Sequence, residues 1–247
     1  MIIDTNIYPY FNGEQFSSGL PMEISTPEKS IKYRIELIEE KVRDKNVVHL
    51  GCADHINLIQ SKIERDIWLH KRLTTVSDKC LGIDINDKAI KYIKDELNYK
   101  NIICADITQP IPEILSGDWD YIVLGEILEH IDDPVAFLKK INNEYNKNIR
   151  KLIITVPNAF CWNNFKNLHK HKELINTDHR YWFTPFTLGK VAHLAGMKLL
   201  EIDFCESYKW STLWTTANFY HYLRLKKYPA LRSTIVAVCE LGSETLI

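Results

Sequence analysis

The sequence predicts an α/β protein built on a mostly parallel sheet. Three observations carry this. Short apolar runs alternate with amphipathic helical patterns from residue 28 to residue 204, the mark of successive βαβ units. The runs end on glycines or acids, at Gly51, Asp84 and Gly125, as strands do where they deliver a loop to a binding crevice. The chain has 247 residues, 45% hydrophobic and 26% charged, ordinary values for a globular domain with a sizeable core.

The elements follow in order. Residues 1–27 carry Gly, Pro and Ser punctuation and read as irregular. Residues 28–43 read as an amphipathic helix, with Ile31, Ile35, Leu37, Ile38 and Val42 near helical spacing. A first strand is expected at 46–50, and one long charged helix at 58–73. A second strand covers 80–85, a helix 87–97 and a third strand 101–104. The fourth strand, 121–124, stops at Gly125, and a helix is expected to start at once, with helix also at 133–145. The fifth strand, 151–156, is stopped by Pro157. Residues 158–182, rich in Asn, His, Lys and aromatics, break the alternation. A loop-rich segment this long is expected to be a lid or binding element. A helix at 184–195 ends at Gly196. A sixth strand at 198–204, an aromatic, partly helical stretch at 208–228 and a seventh strand at 233–241 complete the chain.

Bulk properties narrow the partners. A net charge of −1 supplies no strong field toward nucleic acid or an anionic membrane, so nucleic acid is not the expected partner. No apolar stretch is long enough to span a bilayer. Residues 1–11 lack the basic-then-apolar order of a signal peptide. Six scattered cysteines without a C-x-x-C pair read as reduced thiols of a cytoplasmic protein.

The strand ends point to a nucleoside ligand. Gly51, in HLGCADH (49–55), lets the backbone approach a ligand closely. Asp84, in LGIDIN (81–86), ends the second strand, where an acid accepts from both ribose hydroxyls. Asp106, in ADI (105–107), follows the third strand. An acid there accepts from the exocyclic amine of adenine while a neighbouring backbone N–H donates to the ring. The loop after the first strand lacks the full G-x-G-x-x-G, which favours a nucleoside over a dinucleotide pyrophosphate.

In order and spacing, Leu50-Gly51-Cys52, the Gly-Ile-Asp at Asp84, the Ala-Asp at Asp106, the stretch 120–134, and FTPFTL (183–188) followed by Ala195-Gly196 resemble the class I S-adenosylmethionine-dependent methyltransferases. The resemblance covers about residues 47–202. It implies a Rossmann-like, doubly wound, seven-stranded sheet, mostly parallel with its last strand antiparallel and flanked by helices. It implies methyl transfer from S-adenosylmethionine to a nucleophile by in-line displacement. It also implies cofactor contacts from Gly51, Cys52, Ala53, Asp84, Ile85, Asp106, Ile107, Gly125 and Glu126. A single domain over 1–247 is expected: an N-terminal segment (1–45), a cofactor-binding half (46–156) and an acceptor-side half (157–247). The chain departs from the family at His49, where an acid is usual, and at Ala53 and His55, where glycines are usual. The unit from Gly51 to Asp84 is also long, as though 64–79 were inserted. These departures keep a non-catalytic, cofactor-binding homologue among the readings.

Glu126, Glu129 and His130, in YIVLGEILEHI (121–131), fall at i, i+3 and i+4, on one face of the expected helix. One reading is a solvated helix start that favours negative charge, with the histidine packing or capping. The other is a metal site. Glu126-x-x-Glu129-His130 is similar to the Glu-x-x-Glu-His element of terminal-ribose RNA methyltransferases, and to that of ubiquinone-pathway O-methyltransferases. In the former a later histidine completes the site, and His179, in TDHRYWF (177–183), is the matching candidate. Glu126, Glu129, His130 and His179 would then hold a divalent cation, Mg²⁺ or Mn²⁺, that polarises a bound hydroxyl. Without a metal, His130 or His179 is the candidate general base. Glu126, His130 and His179 are thus the candidate catalytic residues.

Chains with this Phe-Thr-Pro segment also resemble methyltransferases that decorate bacterial surface polysaccharides, capsule phosphoramidate pathways included. That implies a small-molecule acceptor, a sugar-, nucleotide- or phosphorus-containing intermediate, whereas the metal-like cluster raises the terminal ribose of RNA. Arg180 is a candidate for gripping a phosphate or carboxylate, or forms a surface salt bridge. Trp162, Trp210 and Trp214 either pack or shape the acceptor pocket.

Overall fold

The computed structural model describes residues 5–24, 30–207 and 215–242. Seven strands form one sheet: β1 (Asn46–Leu50), β2 (Lys79–Asp84), β3 (Ile102–Cys104), β4 (Trp119–Gly125), β5 (Ile149–Pro157), β6 (Lys198–Cys205) and β7 (Thr234–Glu240). Their order is β3-β2-β1-β4-β5-β7-β6. The first five pair in parallel, and β7 slots between β5 and β6, antiparallel to both. Six strands therefore run one way and the last runs against them, as the resemblance implies.

The helices are α1 (Tyr8–Phe11), α2 (Arg34–Val42), α3 (Ile56–Glu64), α4 (Leu69–Val76), α5 (Asp87–Asp95), α6 (Pro112–Leu115), α7 (Pro134–Tyr145), α8 (Trp162–Leu168), α9 (Pro185–Leu194) and α10 (Thr216–Lys227). They cover both faces, so the central strands read as continuous apolar runs. The pleat divides each strand. Val47, Val123, Ile153 and Val236 pack with α2 and with Leu73 of α4. Val48, Leu124, Ile154 and Ala237 pack with Leu138 of α7, Leu188 of α9 and Phe11 of α1. Local signals set several helix starts. Asn86, two residues past Asp84, caps α5 by accepting from Ala89 N–H. Asp133 caps α7, with Pro134 at its first position. Thr184 and Thr187 cap each other at the start of α9, which stops at Gly196 with φ +76°.

Four sequence expectations change. The expected helix over 58–73 is two, α3 and α4, separated by a turn with Asp66 at φ +54°. The break lets Ile59 and Trp68 enter one cluster with Ile90 and Ile93, while Leu69 and Leu73 pack under α2. Of the helix expected over 28–43, residues 28 and 29 lie outside the described residues, 30–33 are not helical, and α2 starts at Arg34, because Tyr33 bridges in parallel to Glu206. The expected irregular N-terminus contains α1: Tyr8 stacks on His193 at 4.9 Å and donates to Leu199 O at 3.1 Å. Phe11 fills the space that Gly189 leaves on α9. Within 158–182 one short helix, α8, interrupts the loop. The helix in the 208–228 stretch is α10; Trp210 and Trp214 lie outside the described residues. No helix among the described residues is long and apolar enough to cross a membrane. All six cysteines are free thiols.

Candidate active site at the strand carboxyl ends

Strand order reverses between β1 and β4. In an open α/β sheet the ligand crevice lies outside the carboxyl ends at such a switch point. Gly51 leaves β1 at φ +69°, and its N–H donates to Ile83 O at 2.8 Å. A Cβ there would lie 2.6 Å from Ile127 Cδ1, so the loop and the residue after Glu126 need each other's shape. Asp84 ends β2. Its Oδ2 accepts from Ala53 N–H at 3.0 Å and its Oδ1 from Asn86 N–H at 2.9 Å. Burial raises its pKa, and those N–H bonds act against the rise. A carboxylate has about four lone-pair sites, so two remain for a ligand after these bonds. Next to it Ile85 is 76% exposed, an apolar side chain presented at the crevice edge. Asp106 is exposed, with Oδ1 turned back to Thr108 N–H at 2.9 Å. Cys52 and Ile107 bury their side chains in the core, so only their backbones can face the crevice. Burial also pushes the Cys52 thiol strongly up.

At His49 a neutral pair replaces the usual acid. His49 is buried, with Nδ1 3.2 Å from Nδ1 of His70 on α4. Burial, then His70, then Arg34 lower the His49 pKa, and burial pushes His70 down to about 4. Sequence reasoning missed His70, because it lies within the inserted segment and no local pattern links it to β1.

Beyond Gly125 no α-helix begins, contrary to expectation. Glu126 adopts φ +58°, and its N–H donates to Thr155 O at 3.0 Å. A single 3₁₀ turn follows, Leu128–His130. The i, i+3, i+4 face therefore does not form, because one left-handed residue rotates Glu126 out of register. Its Oε1 instead lies 3.7 Å from Nε of Arg34, a buried residue of α2 that carried no sequence signal of its own.

The 3₁₀ turn still builds a cluster. Glu129 is fully buried, and neither carboxylate oxygen has a hydrogen-bond partner among the described residues. Burial first, then the charge of Glu126, push its pKa up to about 8. Nε2 of His130 lies 4.0 Å and Nε2 of His179 3.9 Å from Glu129 Oε1, and the two rings sit edge-to-face at 4.7 Å. One ligand atom from each of the three lies within 4.8 Å of the others. Glu126 stands beside this trio, its Oε1 turned to Arg34. His130 Nδ1 lies 3.1 Å from Asp178 O. A carbonyl only accepts, so Nδ1 carries a proton, and in the neutral ring the lone pair is on Nε2. Burial, then His130, lower the His179 pKa and keep that ring neutral. A carboxylate with neither oxygen hydrogen-bonded, facing two imidazoles, is a donor set that fits a divalent cation.

His179 reaches the cluster because its segment is stitched to the turn. Arg180 N–H donates to Glu129 O at 2.8 Å. The Arg180 side chain pairs with Asp132 and donates to His130 O. Tyr181 OH donates to Asp132 O at 2.6 Å. Arg180 thus acts as a clasp here, with its guanidinium engaged by protein groups.

A seven-stranded sheet of this order, with its crevice at a switch point, defines a Rossmann-like α/β fold. The chain belongs to the methyltransferase domain family, whose pattern matches residues 24–202. It is an S-adenosylmethionine-dependent methyltransferase by that membership. Among solved structures, the small RNA methyltransferase HEN1 superposes with a TM-score of 0.55 at 16% identity, over 90% of this chain and 27% of that one. This chain therefore spans little more than a quarter of HEN1. Magnesium protoporphyrin IX methyltransferase from Synechocystis PCC 6803, with S-adenosylhomocysteine bound, superposes with a TM-score of 0.51 at 14% identity, over 84% of this chain and 82% of that one. The plantazolicin methyltransferase BamL gives 0.50 at 14%, over 84% of each chain. At these identities the likeness concerns the fold. No curated protein matches the sequence.

Proposed function

We propose that the protein transfers the methyl group of S-adenosylmethionine to a sugar hydroxyl held at Glu129, His130 and His179. The observation that carries this reading is the buried Glu129 carboxylate, unpartnered at both oxygens and facing two imidazole Nε2 atoms. Such a group costs free energy unless a proton or a cation satisfies it. Mg²⁺ or Mn²⁺ bound there would supply Lewis acidity that lowers the pKa of the acceptor hydroxyl. Glu129, His130 and His179 would hold the cation, and Glu126, beside Arg34, adds negative charge next to them. Without a cation, His130, its Nδ1–H tied to Asp178 O, would instead offer Nε2 as the base that takes the hydroxyl proton.

On the donor side Asp84 would accept from the ribose hydroxyls and Asp106 from the adenine amine. The exposed Ile85 side chain would cover the adenine face. Gly51, Gly125 and the backbones of Cys52, Ala53, Ile107 and Glu126 would line the rest. The acceptor we propose is a small sugar-, nucleotide- or phosphorus-containing intermediate of bacterial surface polysaccharide synthesis in the cytoplasm. It rests on the Phe-Thr-Pro resemblance, with a capsule phosphoramidate intermediate among the candidates. A second reading, the terminal ribose of RNA, is favoured by one observation: Glu129, His130 and the distant His179 come together.

The test is calorimetry of S-adenosylmethionine and S-adenosylhomocysteine with and without Mn²⁺, followed by transfer assays on nucleotide sugars and on RNA 3′ ends. Micromolar cofactor binding with Mn²⁺-dependent transfer to nucleotide sugars supports the first reading. Transfer to RNA alone favours the second. Binding without turnover on either would leave a cofactor-binding homologue, and absent binding would refute both.

A further inference from the structure

The outward face of α10 is built against the usual rule for a surface helix. Leu225 is buried, and Arg224 lies 3.7 Å over the ring of Trp162 on α8, so these positions mark the inner side. Phe219, Tyr220 and Leu223 are 52%, 67% and 43% exposed, and Lys226 and Lys227 are exposed beyond them. Those five fall at i, i+1, i+4, i+7 and i+8, one face of the helix. No acidic residue occurs anywhere in α10. On the neighbouring α8, Leu168 is also exposed, with exposed Lys166 two residues before it.

We propose that this face seats the protein on an anionic lipid surface. Aromatic rings beside an aliphatic side chain suit the boundary between headgroups and acyl chains. The lysines at the helix end would stretch along that boundary with their ammonium groups among the headgroups. The absence of acids removes what an anionic surface would repel. Single-stranded nucleic acid fits less well, because it requires cations interleaved with the stacking rings along its path, and on α10 the exposed lysines, Lys226 and Lys227, lie beyond Phe219 and Tyr220. A second copy of the chain fits less well too. A stable dimer buries about 800 Å² per partner, more than Phe219, Tyr220, Leu223 and Leu168 offer together. With a net charge of −1 over the chain, the attraction is local and reaches about one Debye length, ~10 Å at 0.1 M salt. Because α8 follows closely on the carboxyl end of β5, such docking would bring the crevice toward acceptors carried at a membrane. The surface stands on its own residues, whether or not the cation reading holds.

The test is co-sedimentation of the full chain with phosphatidylcholine vesicles, with and without phosphatidylglycerol. Two variants join it, Phe219→Ser with Leu223→Ser, and Lys226→Glu with Lys227→Glu. Binding should require phosphatidylglycerol, weaken with salt, and fall by about tenfold or more in each variant. S-adenosylmethionine affinity, measured in parallel, should stay unchanged in both. Three outcomes would overturn the proposal: no phosphatidylglycerol-dependent sedimentation, vesicle binding untouched by both variants, or a face that instead binds a single-stranded RNA probe or self-associates, with that property lost in the variants.

Discussion

Nε2 of His179 lies 3.9 Å from Oε1 of Glu129, although two helices, a strand and a long loop separate them in sequence. That single relationship converts a local carboxylate–histidine pair into a three-donor pocket. It also makes the pocket's occupancy measurable in isolation from methyl transfer.

Glu129→Gln and His179→Ala should each weaken Mn²⁺ binding by roughly tenfold or more, since each removes one of three candidate donors. S-adenosylmethionine affinity should change little, because neither residue lies at the Asp84 edge. Mn²⁺ titration followed by electron paramagnetic resonance reads the first effect and calorimetry the second. Undiminished Mn²⁺ binding in both variants would make the cluster structural.

The pH dependence of stability carries the same signature. Burial raises the Glu129 pKa from 4.5 to about 8, so the folded protein keeps this proton where the unfolded chain has lost it. Stability contributed by the neutral form is complete below the unfolded value and lost as pH rises toward 8. With chelator present, the wild-type melting temperature should fall between pH 6.5 and 8, and Glu129→Gln should flatten that slope. Mn²⁺ should raise the wild-type melting temperature most at the alkaline end, because the cation displaces the proton.

His70 predicts the opposite slope at lower pH. Its pKa is held at about 4 by burial, while the unfolded ring protonates near 6.5. The unfolded state therefore gains protons first as pH falls, and stability is lost between 6.5 and 4. The shift corresponds to on the order of 3 kcal/mol. Denaturant unfolding of His70→Phe across that window should show a shallower acid loss than wild type. An identical profile would mean that His70 is not held neutral.

Asp84 ties the end of β2 to the loop after β1. Asp84→Ala removes the acceptor for Ala53 N–H and Asn86 N–H, each bond contributing about 1 kcal/mol. It also removes the proposed ribose contact, so cofactor affinity should fall by roughly tenfold or more. Calorimetry showing unchanged affinity would displace Asp84 from the site.

Much of the architecture was legible in the chain because its causes are short-range. The apolar runs at Val47-Val48, Ile122-Val123-Leu124 and Ile153-Ile154 needed only alternation with helical patterns to read as buried parallel strands. Asp133-Pro134 and Thr184-Pro185 announced their helices by capping chemistry. Glu126 was misread for a physical reason. A non-glycine residue at φ +58° follows no propensity, and it is held there by its bonds to Thr155 on the neighbouring strand.

The sequence by itself determined the sheet of seven strands, the acids at the ends of β2 and β3, and the glycine at the end of β1. Each depends on residues adjacent along one element. Only the tertiary structure decided that His179 meets Glu129, that Arg34 pairs with Glu126 beside that cluster, and that His70 meets His49. The reason is that loops and side-chain partners are chosen by contacts distant in sequence. The clasp of Arg180 on Glu129 O, and the bridge between Asn158 and Phe183, set the path of residues that have no periodicity of their own.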